Sequence, residues 1–175
     1  GTDAALMSRA ALVERVSMVP QKPYLFSGTV ASNLRMGNPA ASDDDLWDAL
    51  RIAQADFVDD LDMPIAQGGT NVSGGQCQRL CIARMLVARP KVYLFDDSFS
   101  ALDVLTDARV REAMQERTRE ATTIIVAQRV ASIQDADQIL VLEAGRIVAH
   151  GTHEELLTTS PTYQEIVESQ ETARA

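Results

Sequence analysis

The chain has 175 residues, and 46% of them are hydrophobic, which is enough to bury one sizeable core and a smaller satellite lobe. Its formal net charge of -9 disfavours binding to nucleic acid or anionic lipid through overall charge. No stretch approaches the ~20 apolar residues needed to cross a bilayer, and nothing at the start resembles a signal peptide.

The first part of the chain predicts a strand, a loop and then a helical lobe. A short strand containing Val16 and Met18 ends at Pro20, because proline cannot continue a central ladder. A loop follows as far as Gly28. Ser42 is a good N-cap, and the three aspartates after it favour the positive end of a helix that starts the lobe.

The lobe is predicted to end in a glycine-rich turn and a second helix. The turn runs from Gln67 to Gly75, and the apolar spacing after it predicts a helix that ends near Pro90. The apolar run 91–95, closed by two aspartates, is typical of a buried parallel strand whose carboxyl end carries function.

Alternating strands and helices complete the chain. We predict a helix at 104–118, strands at 122–127, 138–142 and 146–149 with a hairpin turn at 143–145, and closing helices near 154–157 and 162–168. This order favours an α/β fold, in which a mostly parallel sheet carries a helical lobe inserted between Gln21 and Lys91.

The cysteines and histidines do not form an evident metal site. Cys77 and Cys81 are the only two cysteines and lie one turn apart on the predicted helix, with no histidine nearby in the sequence. We interpret them as reduced packing thiols rather than a metal or redox site. His150 and His153 are interpreted as surface or capping residues.

The tetrad Ser73, Gly74, Gly75 and Gln76 stands at the start of a predicted helix. Backbone N–H groups and a hydroxyl placed there can bind an anion. A serine-capped helix after a flexible turn explains the same residues equally well. The tetrad alone therefore leaves both interpretations open.

Two carboxylates, Asp96 and Asp97, leave the predicted buried strand side by side. A nucleotide-binding fold presents a Mg²⁺ ligand and a neighbouring acid that orients water in this way. An acidic turn that caps the next segment is the alternative.

Four motifs in order resemble the ATPase domains of ABC transporters, in particular the exporter branch. The Q-loop is resembled by Val-Pro-Gln at 19–21 with Leu-Phe-Ser-Gly-Thr-Val at 25–30, and the signature by Val-Ser-Gly-Gly-Gln at 72–76. Walker B is resembled by Leu-Phe-Asp-Asp-Ser at 94–98, and the D-loop by Ser-Ala-Leu-Asp at 100–103. Residues 137–153 resemble the closing β-hairpin of the family, so the likeness covers essentially the whole chain.

The resemblance implies a partial RecA-like P-loop ATPase core with an inserted α-helical subdomain and C-terminal helices. The expected division is 1–20 for a residual part of the core, 21–89 for the Q-loop and helical subdomain, 90–150 for the rest of the core, and 151–175 for the C-terminal helices.

The family also implies ATP and Mg²⁺ as ligands and a role for each matching residue. Gln21 would sense Mg²⁺ and the γ-phosphate and relay this to membrane helices, and Asp96 would hold Mg²⁺ through water. The tetrad 73–76 would close over the γ-phosphate of ATP bound to a second nucleotide-binding domain. Asp103 would couple the two sites across that interface.

Two catalytic positions depart from the family. Asp97 stands where a glutamate is usual, and the shorter side chain retracts the carboxylate from the attacking water. Gln128 replaces a histidine that contacts the γ-phosphate, and it can hydrogen-bond but cannot carry a positive charge. With its signature intact, the chain resembles the degenerate subunit of a heterodimeric exporter, whose signature completes the competent site with the partner's P-loop.

Two further departures are a change in the segment before the signature and the absence of the phosphate-binding loop. Gln67 replaces a usual acidic residue, and the segment between Phe57 and Gln67 is short, which puts the contact with membrane loops in question. The sequence contains no Gly-x-x-x-x-Gly-Lys-Ser/Thr loop, and residues 1–3 align downstream of it. We therefore expect a segment of a longer protein that binds ATP poorly and is inactive by itself.

The predicted parent is an exporter of a drug, lipid or similar substrate at the cytoplasmic face of the cell (inner) membrane. A soluble ABC-type ATPase of DNA maintenance is the first alternative, disfavoured by the acidic charge, the exporter-like stretch 25–30 and the lack of a coiled-coil insertion. A non-catalytic interaction fragment is the second.

Overall fold

The structure, a computed structural model, describes residues 3–172, with side chains described as far as residue 170. The predicted core residues 1–2 and the end of the predicted C-terminal segment, 173–175, lie outside the described residues. The chain divides into two compact units, residues 1–126 and 127–175. Among the described residues, no helix has the length and apolar content needed to cross a membrane.

The first unit contains most of the helices and a parallel sheet. Its elements are α1 (Arg9–Val13), β1 (Val16–Val19), β2 (Gly28–Thr29), α2 (Val30–Arg35), α3 (Asp43–Ile52), β3 (Pro64–Ile65), α4 (Gly74–Ala88), β4 (Val92–Asp96), α5 (Val104–Thr118) and β5 (Thr122–Val126). Short 3₁₀ turns lie at Ala4–Leu6 and Gln67–Gly69.

The sheet is three-stranded and parallel, in the order β1-β4-β5. Met18, Leu94 and Ile124 lie side by side in its register. Tyr93 and Phe95 point to the opposite face and are fully buried, because successive side chains of a strand alternate between faces. The result is a sheet with one face in the core and one face that leaves large apolar side chains exposed.

The helical lobe packs α2 and α3 against α4. Helix α4 is buried around much of its circumference, with Leu80, Ile82 and Leu86 fully inaccessible. Asp45 of α3 forms an ion pair with Arg89 at the end of α4 (2.7 Å), and Asp48 pairs with Arg117 of α5. The first pair lies within the lobe, and the second connects the lobe to α5.

The second unit begins with a 3₁₀ turn (Val130–Ser132) and continues with the antiparallel hairpin β6 (Ile139–Glu143) and β7 (Arg146–Gly151). Helices α6 (His153–Thr159) and α7 (Pro161–Thr172) follow. Leu156 and Tyr163, one from each helix, are buried with the inward side chains of β6 in a small separate core.

The structure confirms the predicted mixed α/β fold with a parallel sheet and an inserted helical lobe. The predicted helix at 104–118 and the hairpin are present, and the predicted strand at 122–127 ends one residue earlier. Helices α1 and α2 and the small β2–β3 pair were not predicted from the sequence. Each is six residues or fewer, too short for a hydrophobic period to stand out from a loop.

Candidate functional site

The start of α4 is organised by a reciprocal capping box. Oγ of Ser73 accepts a hydrogen bond from the backbone N–H of Gln76 (3.2 Å), and the side-chain oxygen of Gln76 accepts from the N–H of Ser73 (2.8 Å). The capping interpretation of the tetrad is therefore correct. It does not exclude anion binding, because the cap uses the Ser73 hydroxyl as an acceptor and its O–H can still donate.

The two glycines of the tetrad differ in their surroundings. A Cβ built on Gly74 would meet no atom within 4 Å, so the helix end is open in front of this residue. A Cβ on Gly75 would lie 3.4 Å from the carbonyl oxygen of Ala101. The capping box occupies the N–H groups of Ser73 and Gln76, which leaves those of Gly74 and Gly75 without an intrahelical acceptor. The open glycine therefore lets a ligand approach these donors, and the other glycine brings the helix start against residues 100–103.

The strand β4 ends at the two predicted carboxylates. Asp97 has a positive φ of 47°, a left-handed conformation that aspartate tolerates better than most residues. Its N–H donates to the carbonyl of Val126 (2.9 Å), and its own carbonyl accepts from the Ser100 hydroxyl (2.8 Å). These bonds turn the chain sharply after Asp96 and leave both carboxylates half-buried at the edge of the sheet.

The loop after β1 lies against this strand end. Nε2 of Gln21 donates to Oδ2 of Asp97 at 3.3 Å. Close by, the buried hydroxyl of Ser98 donates to the carbonyl of Val19 at 2.7 Å. The structure thus brings together Gln21 and Asp97, which are 76 positions apart in the sequence, and ties their two loops with a second bond.

Ser98 was not predicted from the sequence as part of the site. Its hydroxyl directly follows the two aspartates, which is the only signal available in the sequence. A single serine in a turn has many possible partners. Its bond to Val19 could not have been predicted without the parallel pairing of β1 with β4.

The donor atoms present at this edge suit a nucleotide-bound Mg²⁺. The amide nitrogen of Gln21 is directed at Asp97, so its Oε1 is the atom left to act as a ligand. Mg²⁺ is usually held by one or two protein oxygens together with water and phosphate. Among the described residues, no group of three or more His, Cys, Asp or Glu side chains could hold a metal alone.

Asp103 caps the helix that follows. Its carboxylate accepts from the N–H of Thr106 (3.0 Å) and from the Thr106 hydroxyl (2.6 Å), and these bonds lower the pKa of Asp103 below its usual range. The side chain is exposed and charged at neutral pH. It is fixed in place by its own helix, beside the residues that contact the start of α4.

Gln128 belongs to the second unit. Its backbone carbonyl accepts a hydrogen bond from the Gln170 side chain of α7 (2.6 Å), and the same side chain accepts from the N–H of Val130 (2.9 Å). The segment that carries Gln128 is therefore anchored to the last helix. The catalytic role of Gln128 stays a prediction.

The remaining residues that were singled out occupy simpler environments. Nε2 of Gln67 donates to the hydroxyl of Tyr24 (2.5 Å), which joins the turn before α4 to the loop after Gln21. His150 is exposed on β7. His153 is the first residue of α6, and its Nδ1 lies 2.8 Å from the hydroxyl of the buried Tyr163.

Comparison with protein families gives one match, to the model described as ABC transporter, over residues 1–100. An ABC transporter ATP-binding protein of Mycobacterium tuberculosis (strain H37Rv) is 48% identical over 176 residues, covering 97% of this chain and 30% of that protein. The fatty acid ABC transporter ATP-binding/permease protein of Mycobacterium tuberculosis (strain CDC 1551) is 37% identical, covering 95% of this chain and 27% of that protein.

The structural comparison agrees with the sequence comparison. The solved structure of a bacterial Atm1-family ABC exporter with ATP bound matches with a TM-score of 0.91 at 34% sequence identity, over 97% of this chain and 31% of that one. The described elements thus follow those of an exporter over nearly all of the chain. The chain spans about 30% of the length of these relatives.

Proposed function

We propose, because this chain belongs to the ABC transporter family, that it serves as the ATP-binding domain of an exporter, in which ATP binding and hydrolysis drive a substrate across a membrane. The agreement with an exporter structure over 97% of the chain is the observation that carries this proposal. It favours an exporter over an ATPase of DNA maintenance, the first alternative from the sequence.

We assign the tetrad 73–76 to the γ-phosphate of ATP held by a second nucleotide-binding domain. The open helix start in front of Gly74 and the remaining donor of Ser73 support this assignment. The second nucleotide-binding domain is part of this proposal, as the partner that holds this ATP. The role of Asp103 is to couple the two sites from its position beside the start of α4.

Asp96 and Gln21 would hold Mg²⁺ of a second ATP, and that ion would neutralise phosphate oxygens in the transition state. Asp97 would orient the attacking water, and its hydrogen bond with Gln21 fixes the direction of its carboxylate. The side chain is one methylene shorter than glutamate, so we expect the water to be poorly placed. Gln128 would contact the γ-phosphate without adding positive charge.

These roles predict two unequal ATP sites in a heterodimer. The Walker B strand of this chain would serve the weak site, and its signature would serve the site that turns over. The transmembrane helices of the same transporter are the other expected partner, reached through the loop that carries Gln21. The domain would lie at the cytoplasmic face of the cell (inner) membrane, and this chain by itself would be inactive.

The substrate is chosen by membrane helices, which lie outside the residues matched here. The name of one relative specifies fatty acids, at 37% identity. Lipids are therefore among the candidate substrates, together with drugs and similar molecules.

The proposal is tested by placing a negative charge at the open helix start of the full-length transporter with its partner. Gly74→Asp should reduce steady-state ATPase activity at least about tenfold, because a carboxylate would repel the γ-phosphate. The fold should persist, since no atom lies within 4 Å of the added Cβ and aspartate suits a helix start. Ala10→Asp adds the same charge to the exposed first turn of α1 and is the matched control. Unchanged activity in Gly74→Asp would reject the proposal.

A further inference from the structure

Two thiols lie one helical turn apart near the start of α4. Cys77 and Cys81 are both free and buried, with 5% and 2% of their surfaces exposed. Cys77 lies under the turn before the helix, because a Cβ on Gly69 would fall 3.1 Å from its Sγ. The S–H of Cys81 donates to the carbonyl oxygen of Tyr24 at 3.6 Å. The pair therefore sits between the glycine-rich turn and the loop that follows Gln21.

The surroundings of Cys81 differ from those of an inert core thiol. The residue borders a cavity of about 170 Å³, which is lined also by Arg84, Met85 and residues of β1. This space can hold several water-sized molecules, since a water occupies roughly 30 Å³ in the liquid. Nη2 of Arg84 donates to Sγ of Cys81 at 3.5 Å. Cys81, although 2% exposed, therefore lines a space large enough for a small polar reagent, beside a positive charge.

The two thiols are also electrostatically different. The neighbouring Cys77 thiol and the charge of Arg84 lower the pKa of Cys81, against the opposing effect of burial. The neighbouring Cys81 thiol, together with burial, raises the pKa of Cys77. Thiolate character is thus concentrated on Cys81, while Cys77 remains a protonated neighbour. This is the arrangement of an attacking thiol next to a resolving thiol.

We propose that Cys81 and Cys77 form a reversible oxidation site for hydroperoxides within the signature helix. The Cys81 thiolate attacks the O–O bond of the peroxide, becomes a sulfenic acid and releases hydroxide, or alkoxide from an organic peroxide. The Cys77 thiol then displaces the sulfenic oxygen as water and closes a disulfide. In total, two thiols are oxidised by two electrons and one peroxide is reduced.

The disulfide would disturb the helix that presents the signature. Side chains at i and i+4 have Cβ atoms about 5–6 Å apart, whereas a disulfide requires about 3.5–4.5 Å. Closing the bond must tighten or unwind the turn between the two cysteines. Ser73 and Gly74 stand at the start of this same helix, so we infer that oxidation lowers ATPase activity. This last step rests on the proposed function, whereas the oxidation chemistry does not.

The sequence offers a direct assay for the crosslink. Arg79 lies between the two cysteines, and trypsin would separate them into peptides 52–79 and 80–84. Treating the full-length protein with hydrogen peroxide should produce these two peptides joined by a disulfide, which dithiothreitol separates. In Cys77→Ser, Cys81 should instead carry a sulfenic acid that dimedone traps. In Cys81→Ser, neither product should form.

Unfolded protein is the control for access and intrinsic reactivity. The proposal is overturned if native protein shows neither crosslink nor dimedone adduct at a peroxide concentration that oxidises both thiols in guanidinium chloride. It is equally overturned if dimedone labels Cys77 first.

ATPase activity should fall as the crosslink forms and return with dithiothreitol. If the crosslink forms and the ATPase activity of an active transporter stays unchanged, oxidation does not control the signature. A transporter without ATPase activity before treatment would instead count against the proposed function.

Discussion

At the scale of single residues, two hydrogen bonds hold the loop after β1 on the end of β4. The bond of Gln21 to Asp97 is long, at 3.3 Å, and joins exposed or half-buried groups. The bond of Ser98 to Val19 is short, at 2.7 Å, and buried. A buried bond contributes more, because breaking it leaves a carbonyl without its partner away from water. We therefore regard Ser98 as a positioning residue for Gln21.

Ser98→Ala should destabilise the chain by about 1–2 kcal/mol, the usual effect of removing one partner of a buried hydrogen bond. Ser100→Ala is the matched control, because its hydroxyl also donates to a carbonyl, that of Asp97, but on the exposed side of the turn. Its effect should stay below about 0.5 kcal/mol. Urea unfolding of the three proteins measures both values. Equal losses in the free energy of unfolding would show that the buried bond of Ser98 stabilises the chain no more than the exposed bond of Ser100.

At the scale of helices and strands, close packing between α2 and α4 depends on a glycine. A Cβ on Gly37, just after α2, would lie 2.2 Å from the carbonyl oxygen of Arg84, which is a backbone atom and cannot rotate away. Overpacking of this kind usually costs about 1–3 kcal/mol. The glycine therefore sets how closely the two helices of the lobe approach.

Gly37→Ala should lower the free energy of unfolding by at least about 2 kcal/mol through this clash. Gly74→Ala is a control with the same change of side chain, since it meets no atom within 4 Å and should change stability by less than about 0.5 kcal/mol. Denaturant midpoints of the two variants provide the comparison. Similar midpoints would contradict the close approach of α2 and α4 at Gly37.

Longer elements could be predicted from the sequence, whereas short elements and contacts between distant segments could not. The strand after Lys91 carries a strong local signal, a run of apolar residues closed by two aspartates, and the helix 104–118 has the predicted bounds. The order of motifs also located the carboxylates and the tetrad. The bond of Ser98 to Val19 and the cavity beside Cys81 depend on which elements meet in three dimensions. No local pattern in the sequence encodes them.

At the scale of the whole molecule, the open face of the parallel sheet makes this chain prone to self-association in isolation. Met18, Ile124 and Val126 are 52%, 47% and 52% exposed, although they belong to strands of the central sheet. Large apolar side chains grouped on a sheet favour association. In the relatives, the matched region is only about 30% of the protein, and we propose that other segments cover this face in the parent.

The isolated 175-residue chain should therefore self-associate as its concentration rises. Ile124→Lys should shift it towards monomer by placing a charge on the open face, whereas Leu105→Lys should not, because that exposed leucine lies on α5. Light scattering over a concentration series distinguishes these cases. A monodisperse monomer of the unmodified chain at all concentrations would contradict the prediction.

We propose that this chain contributes a working signature and a weak Walker B to two unequal ATP sites. The direct measurement is the steady-state ATPase rate of the full-length transporter with its partner, carrying either Ser73→Ala or Asp97→Asn. Ser73→Ala should remove most of the activity, since it deletes a donor to the γ-phosphate at the competent site. We expect Asp97→Asn to cost much less, because the weak site proposed for the Walker B strand of this chain would contribute little to turnover. An Asp97→Asn loss as large as the Ser73→Ala loss would show instead that the site assigned as weak is catalytic.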